Sequence, residues 1–161
     1  MIGTPVARMS DASKAMNGLR RIVRALRAGN AEMERVTGVS SAQLFALREI
    51  AGHPGRSLSD LAAATLTTQS SVSEVVARLI QQGLVVRKVA ADDRRRTELV
   101  PTGLGRAALA RAPQTAQEKL LASFRSLPES DQHRIAAGLE AWIDAAQLQH
   151  LTPTMFFENE R

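Results

Sequence analysis

Basic side chains crowd into a short stretch near the middle of the chain, between residues 87 and 96. They are Arg87, Lys88, Arg94, Arg95 and Arg96, with Asp92 and Asp93 between them. Two carboxylates cannot neutralise all of these cations, and arginine side chains bind phosphate and enter the electronegative minor groove of DNA. We therefore expect this stretch to contact nucleic acid, with Asp93 bracing one of the arginines. The alternative is a solvated charged turn that protects the edge of a hairpin.

A second group of polar side chains precedes this stretch, on a helix that the sequence predicts from residue 69 to about residue 82. Four apolar residues at helical spacing should face the core, namely Val72, Val75, Val76 and Leu79. The candidate DNA contacts on this helix are Gln69, Ser70, Ser71, Ser73, Glu74 and Arg78. In the major groove a glutamine pairs with adenine and a carboxylate accepts from cytosine, while Arg78 lies nearer a phosphate. The same serines and glutamine would also suit the capped start of an ordinary soluble helix.

A long amphipathic helix is predicted from residue 10 to about residue 37, where Gly38 ends it. The residues of its apolar stripe are Met16, Leu19, Val23, Leu26 and Met33. The helix is too long to bury this stripe against one small domain. We therefore expect a partner helix, either from the same chain or from a second subunit.

Helix caps and short β-branched runs predict the other elements. In chain order they are helices that begin at Ser40 and Ser57, the helix of 69–82, strands at 84–89 and 97–100, a helix that begins at Thr102, and a final helix from about residue 128 to residue 149. This order predicts a mainly α fold. It is a winged helix-turn-helix of three helices and a two-stranded hairpin, flanked by long N- and C-terminal dimerisation helices. We expect the domain boundaries 1–38, 39–106 and 107–161.

The composition excludes several kinds of site. The chain has no cysteine and three histidines, and 21 basic against 16 acidic residues give a net charge of +5. Disulfides and thiol redox sensing are therefore excluded, and we expect no metal and no cofactor. We find no catalytic triad or phosphate-binding glycine loop and expect no enzyme, and the 3% of aromatic residues disfavour binding of single strands by stacking. Without a predicted membrane span or signal segment, we expect a cytoplasmic location.

Several short motifs follow one another through the middle of the chain. They lie at residues 40–44, 54–62, 70–79, 83–87 and 92–95, and the last is followed by Thr102 and Gly105. In order and type they resemble the MarR family of bacterial transcription regulators, whose Asp-x-Arg signature falls on Asp93 and Arg95. The resemblance is close over about 35–106, and the flanking helices resemble the family by pattern.

The resemblance implies a homodimer that binds a pseudo-palindromic double-stranded DNA operator through two recognition helices and two wings. It also implies a repressor that a small anionic aromatic effector releases from DNA. The candidate ligand residues, near the junction of the DNA-binding and dimerisation parts, are Arg20, Arg24, Arg48 and His53. The alternative is a winged-helix module that binds another protein and has no sequence-specific DNA binding.

Two prolines depart from the family pattern. Pro101 stands where the family usually has an apolar residue, so the second wing strand should end early. Pro113 lies inside a helix that the family keeps continuous, and an interior proline should kink or break it.

Overall fold

The computed structural model of the protein describes residues 10–90 and 97–156, and most of these residues are helical. The elements are α1 (Asp11–Thr37), α2 (Ser41–Gly52), α3 (Leu58–Thr65), α4 (Gln69–Gln81), β1 (Val85–Val89), β2 (Thr97–Pro101), α5 (Gly103–Arg111), α6 (Ala116–Arg125) and α7 (Glu129–Ala145). The two strands pair antiparallel. The predicted mainly α winged helix-turn-helix with flanking helices is confirmed.

Local hydrogen bonds explain where the first helices begin and end. Gly38 has a φ of 73°, and its amide donates to the Glu34 carbonyl at 2.8 Å, which confirms the predicted end of α1. A capping box of Ser40 and Gln43 starts α2, as the spacing predicts.

A second capping box, formed by Ser57 and Asp60, starts α3 and changes the pKa of Asp60. The hydroxyl of Ser57 donates to the Asp60 carboxylate at 2.7 Å, and the Ser57 amide donates to it at 3.2 Å. Both hydrogen bonds favour the charged carboxylate, so they lower the pKa of Asp60 below its usual value. The hydrogen bond from the hydroxyl has the larger effect. The predicted cap of the third helix is confirmed.

The core of the middle part of the chain forms where α2, α3 and α4 pack together. The largest fully buried apolar side chains in this part include Leu44 and Leu47 of α2, Leu61 of α3 and Leu79 of α4. The side chains of Ser41–Leu47 are all buried, so α2 is covered on every side over that stretch. Since α2 also contacts α1, β2, α5 and α6, it is the central helix of the fold.

Strand β2 includes Pro101, which was expected to end it early. Val85 pairs with Pro101 in the register of the strands, so the expectation that Pro101 ends β2 early is wrong. Proline lacks an amide hydrogen, but the next residue, Thr102, donates its amide to the Leu84 carbonyl at 2.9 Å. Thr102 also donates its hydroxyl to the Gly83 carbonyl at 2.6 Å and caps α5 as predicted.

The C-terminal helices are shorter than the periodicity suggests. The predicted break at Pro113 is confirmed, because α5 ends at Arg111 and α6 begins only at Ala116. The last helix was expected to reach residue 149, but it ends at Ala145. Just after this end Gln147 has a φ of 58°, the left-handed conformation in which many helices end.

Only the C-terminal half of the α1 stripe is buried within the chain. Leu26 and Met33 are buried, whereas Met16, Leu19 and Val23 are each more than a third exposed. The N-terminal half of the stripe is thus the part for which we still expect a partner helix. None of the helices in residues 10–90 and 97–156 is long and apolar enough to cross a membrane.

The close approach of α5 to the hairpin gives a stability prediction. A Cβ at position 105 would lie 2.2 Å from the Leu84 carbonyl oxygen, which Thr102 holds in place. Gly105→Ala should therefore lower the free energy of unfolding by about 2–3 kcal/mol. Chemical denaturation at one protein concentration measures this loss.

Gly103→Ala is the matched control, because a Cβ at position 103 meets nothing within 4 Å. Alanine favours a helix over glycine, so this variant should be as stable as the unmodified protein or more so. Equal stability of both alanine variants would contradict the tight contact between α5 and the hairpin.

Candidate nucleic-acid interface

Helix α4 is buried along one face and open along the other. Val72, Val75, Val76 and Leu79 are buried, as predicted, and they pack in the core formed with α2 and α3. On the open side Gln69, Ser70 and Glu74 are exposed, while Ser73 and Arg78 are half-buried. The cap of α4 is Thr68, whose hydroxyl accepts from the Ser71 amide at 3.2 Å. The burial of one face therefore determines which side chains face outward.

Ser71 was expected among the DNA contacts, and the structure places it elsewhere. Its side chain is 3% exposed, and its hydroxyl oxygen accepts from the amide of Met155 at 3.0 Å. A side chain held inside in this way does not reach a base edge. This expectation is therefore wrong, because the C-terminal segment covers the position.

The hairpin places two of the predicted basic contacts on its first strand. Arg87 and Lys88 are both exposed on β1, where their cross-strand partners are Leu99 and Glu98. Both cations lie on the strand that follows α4 and leads toward the hairpin tip. The remaining predicted contacts, Asp93, Arg94, Arg95 and Arg96, lie outside the described residues.

Arg56 is a further basic side chain at this surface, outside the set of contacts predicted from the sequence. With Arg87 and Leu58 it lines a hollow of about 200 Å³ between the start of α3 and the hairpin. Its guanidinium donates to Glu49 at 2.7 Å, which holds it in place. The only signal in the sequence was its position just before the cap of the helix that precedes α4.

Comparison with known sequences shows similarity to one family over the middle of the chain. A model of the MarR family matches residues 37–96, which contain α2, α3, α4 and the first strand of the hairpin. Over these residues the chain is similar to the MarR family. A Thauera aromatica protein assigned to transcriptional regulation of the hcr operon is 40% identical over 82 residues. That similarity covers 51% of this chain and 49% of the relative, so the chain spans about half the length of the curated relative it matches.

Solved structures show the same fold over most of the chain. They include the transcriptional regulator BldR from Sulfolobus solfataricus, with 23% identity, a TM-score of 0.52, and coverage of 85% of this chain and 99% of that one. BpsR from Bordetella bronchiseptica has 22% identity and a TM-score of 0.54, and the DNA complex of MepR from S. aureus has 19% identity and a TM-score of 0.54. Each of these two similarities covers 86% of this chain and 99% of the other.

The four candidate ligand residues do not come together in one site. Arg20 and Arg24 line a shallow hollow along α1, and Arg20 also donates to the Asn17 side chain at 3.0 Å. Arg48 lies on α2, in a different hollow. His53 caps the end of α2, with its ring nitrogen 3.6 Å from the Glu49 carboxylate, and it lines neither hollow.

Arg48 joins α2 to the segment around Pro113, where the helix is broken. Its guanidinium forms an ion pair with Glu118 and donates to the carbonyls of Ala112 and Pro113 at 3.2 and 3.3 Å. Glu118 also accepts from the Thr115 amide at 2.7 Å, so one carboxylate both caps α6 and holds Arg48. The guanidinium thus binds groups of the protein itself, whereas the sequence predicted that it binds an anionic ligand.

A hollow of about 380 Å³ lies beside this ion pair, between α2 and α6. Phe45 and Leu121 give it apolar walls, and Arg125 contributes a cation that is not among the predicted ligand residues. No three histidine or acidic side chains come together as a metal site in the part of the chain that the structure describes.

Proposed function

We propose that the protein is a transcriptional regulator that binds a pseudo-palindromic double-stranded DNA operator as a homodimer. The observation that carries the proposal is the geometry of α4, which presents exposed Gln69, Ser70 and Glu74 opposite its buried valines. The cationic hairpin follows directly in the chain. The Thauera aromatica relative is assigned to transcriptional regulation, and MepR has been solved bound to DNA, which supports the same function here.

In this proposal the first turns of α4 enter the major groove, which is about 12 Å wide and admits one helix. Gln69, Ser70, Ser73 and Glu74 then contact base edges, and Arg78 contacts a phosphate. The hairpin side chains Arg87 and Lys88, with the arginines at 94–96, contact the backbone and the minor groove. Base contacts determine which sequence is preferred, whereas phosphate contacts raise the affinity for every sequence.

Two substitutions test this division of roles. Gln69→Ala should weaken binding to the preferred site by about tenfold and leave binding to unrelated DNA unchanged, because it removes a base contact. Arg95→Ala should weaken binding to both DNAs and lower the slope of log K against log salt by about 1. Titration of the DNA upstream of the protein's own gene, at several salt concentrations, measures both effects.

Arg134→Ala serves as the control, because it removes the same charge from an exposed ion pair on α7. An Arg95→Ala variant with unchanged affinity and salt slope would contradict the assignment of the wing. A protein that binds no DNA at any salt concentration, yet forms a stable complex with another protein, would support the protein-interaction module instead.

The homodimer rests on an apolar surface that the chain leaves uncovered. Leu19 of α1 and Leu139, Trp142 and Ile143 of α7 are each at least 40% exposed, and all four line one apolar hollow of about 330 Å³. An uncovered patch of this kind marks an interaction surface. A second copy of α1 and α7 would cover it, and a two-fold dimer would present two α4 helices to successive major grooves.

A charge placed on this surface should separate the subunits. Leu139 is 50% exposed, and Leu139→Glu should weaken self-association by about tenfold or more, because the dimer would bury the new carboxylate. Glu140→Gln, at the next and also exposed position, should leave it unchanged. Sedimentation equilibrium measures the dissociation constant, and equal self-association of the two variants would contradict the proposed surface.

We also propose that the protein is a repressor that a small anionic aromatic effector releases from DNA. The DNA binding of BpsR is regulated by 6-hydroxynicotinic acid, which is an effector of this class. In this chain the hollow between α2 and α6 would hold the ring against Phe45 and Leu121, with the carboxylate at Arg125. Because Arg48 joins α2 to α6 beside it, a ligand there would change the angle between the two helices.

Titration of the DNA complex with 6-hydroxynicotinate and salicylate tests the effector. At least one acid should weaken DNA binding by about tenfold, and Arg125→Ala should abolish most of that effect. Arg134→Ala should preserve the effect. Loss of the effect in Arg24→Ala rather than in Arg125→Ala would place the effector in the hollow on α1, and no response to any acid would contradict an effector of this class.

The boundaries 1–38, 39–106 and 107–161 remain part of the proposal, with DNA binding in the middle segment and dimerisation in the outer two. A regulator that works in this way acts on DNA in the cytoplasm, where it is bound at the nucleoid.

A further inference from the structure

The segment after α7 folds back onto the DNA-binding part. Met155 is 3% exposed and belongs to the same apolar cluster as the residues of α2, α3 and α4. Its amide donates to the Ser71 hydroxyl at 3.0 Å, and the Thr67 hydroxyl donates to the Pro153 carbonyl at 3.3 Å. These contacts join parts of the chain that lie 84 and 86 residues apart.

Both contacts lie at the start of α4. Thr67 and Ser71 stand on either side of Thr68, which caps this helix. The turn that precedes them contains Leu66 with a φ of 54°, a conformation that costs energy for a residue with a side chain. The C-terminal segment therefore contacts the chain between the strained turn at Leu66 and the first turn of α4.

The segment lies on the inner side of α4 and leaves the outer side open. Ser71 is buried beneath it, whereas the neighbouring residues Gln69 and Ser70 stay exposed. The contact thus does not cover the face that we assign to DNA. A segment packed on this side supports the helix and does not compete with DNA for it.

We propose that residues 151–156 form a strap that positions the first turn of α4, and that Met155 is its positioning residue. The part of this inference that concerns DNA rests on the proposed function. The strap follows α7 after the short segment 146–150, so it connects the exposed apolar helix to the start of the helix that we assign to DNA. The position of α4 then depends on where α7 lies.

This role has a consequence for selectivity. Base contacts require α4 to enter the groove in one orientation, whereas contacts of the hairpin arginines with phosphates tolerate small displacements. Loosening the strap should therefore reduce the affinity for the preferred sequence more than the affinity for unrelated DNA. A merely structural loss would reduce the two affinities together.

The test compares Met155→Ala with Met155→Leu in the full chain. Met155→Ala should weaken binding to the preferred site by about tenfold, with unchanged binding to unrelated DNA and an unchanged salt slope. Met155→Leu, which keeps the apolar volume, should restore the preference. Thr154→Ala, at the exposed neighbouring position, is the matched control and should behave like the unmodified protein.

Hydrogen exchange in the free protein tests the strap without DNA. The amides of residues 67–72 should exchange about tenfold faster in Met155→Ala than in the unmodified protein, while the buried amides of α2 keep their protection. Ser71→Ala removes the acceptor and keeps the methionine, so it should accelerate the same amides to a smaller degree. This second variant preserves the test if Met155→Ala fails to fold.

Three results would overturn the inference. They are unchanged exchange at 67–72 in both variants, an equal loss of affinity for the preferred and unrelated DNAs, and, in Ser71→Ala, a loss of protection throughout the core. If the unmodified protein itself shows no preference among DNA sequences, the proposed function fails. The exchange measurement then still decides whether the strap holds the start of α4.

Discussion

The burial of one face of α4 is the constraint on which the rest of the structure depends. Val72, Val75, Val76 and Leu79 are buried against the core that α2 and α3 complete. Full burial of four such side chains contributes several kcal/mol, at about 1.5–3 kcal/mol for each, so the rotation of the helix about its axis is not free. The polar face points outward as a consequence. Recognition of DNA, in the function we propose, follows from that rotation and from the hairpin that comes next.

Three of the contacts that the structure describes connect α2 and α4 to the flanking helices and the segment after α7. The Asn30 side chain on α1 accepts from the Ser41 amide at 2.9 Å, and Arg48 on α2 joins α6 through Glu118. The third contact is the one between Met155 and the start of α4. Together they tie α1, α6 and the segment after α7 to α2 and α4. A change in how two subunits pack along their flanking helices would therefore be transmitted to the helix that we assign to DNA.

The sequence predicted those features that local physics determines. Capping boxes, the glycine at the end of α1 and the apolar face of α4 each depend on residues within one or two turns, and each was confirmed. Long-range partners explain the errors. Ser71 lies at the edge of the apolar face and is buried only because a segment 84 residues away covers it. Arg48 was predicted to bind an anionic ligand because its partner Glu118 lies 70 residues further along the chain. Pro101 stays in its strand because Thr102 supplies the next hydrogen bond.

Selection of bound sequences from random double-stranded DNA tests the central claim most directly, because it assumes neither the operator nor the effector. A dimer that places two α4 helices in successive major grooves should enrich a palindrome with half-sites about 10 base pairs apart, centre to centre. Enrichment of a single half-site, or of no sequence at all, would contradict the account.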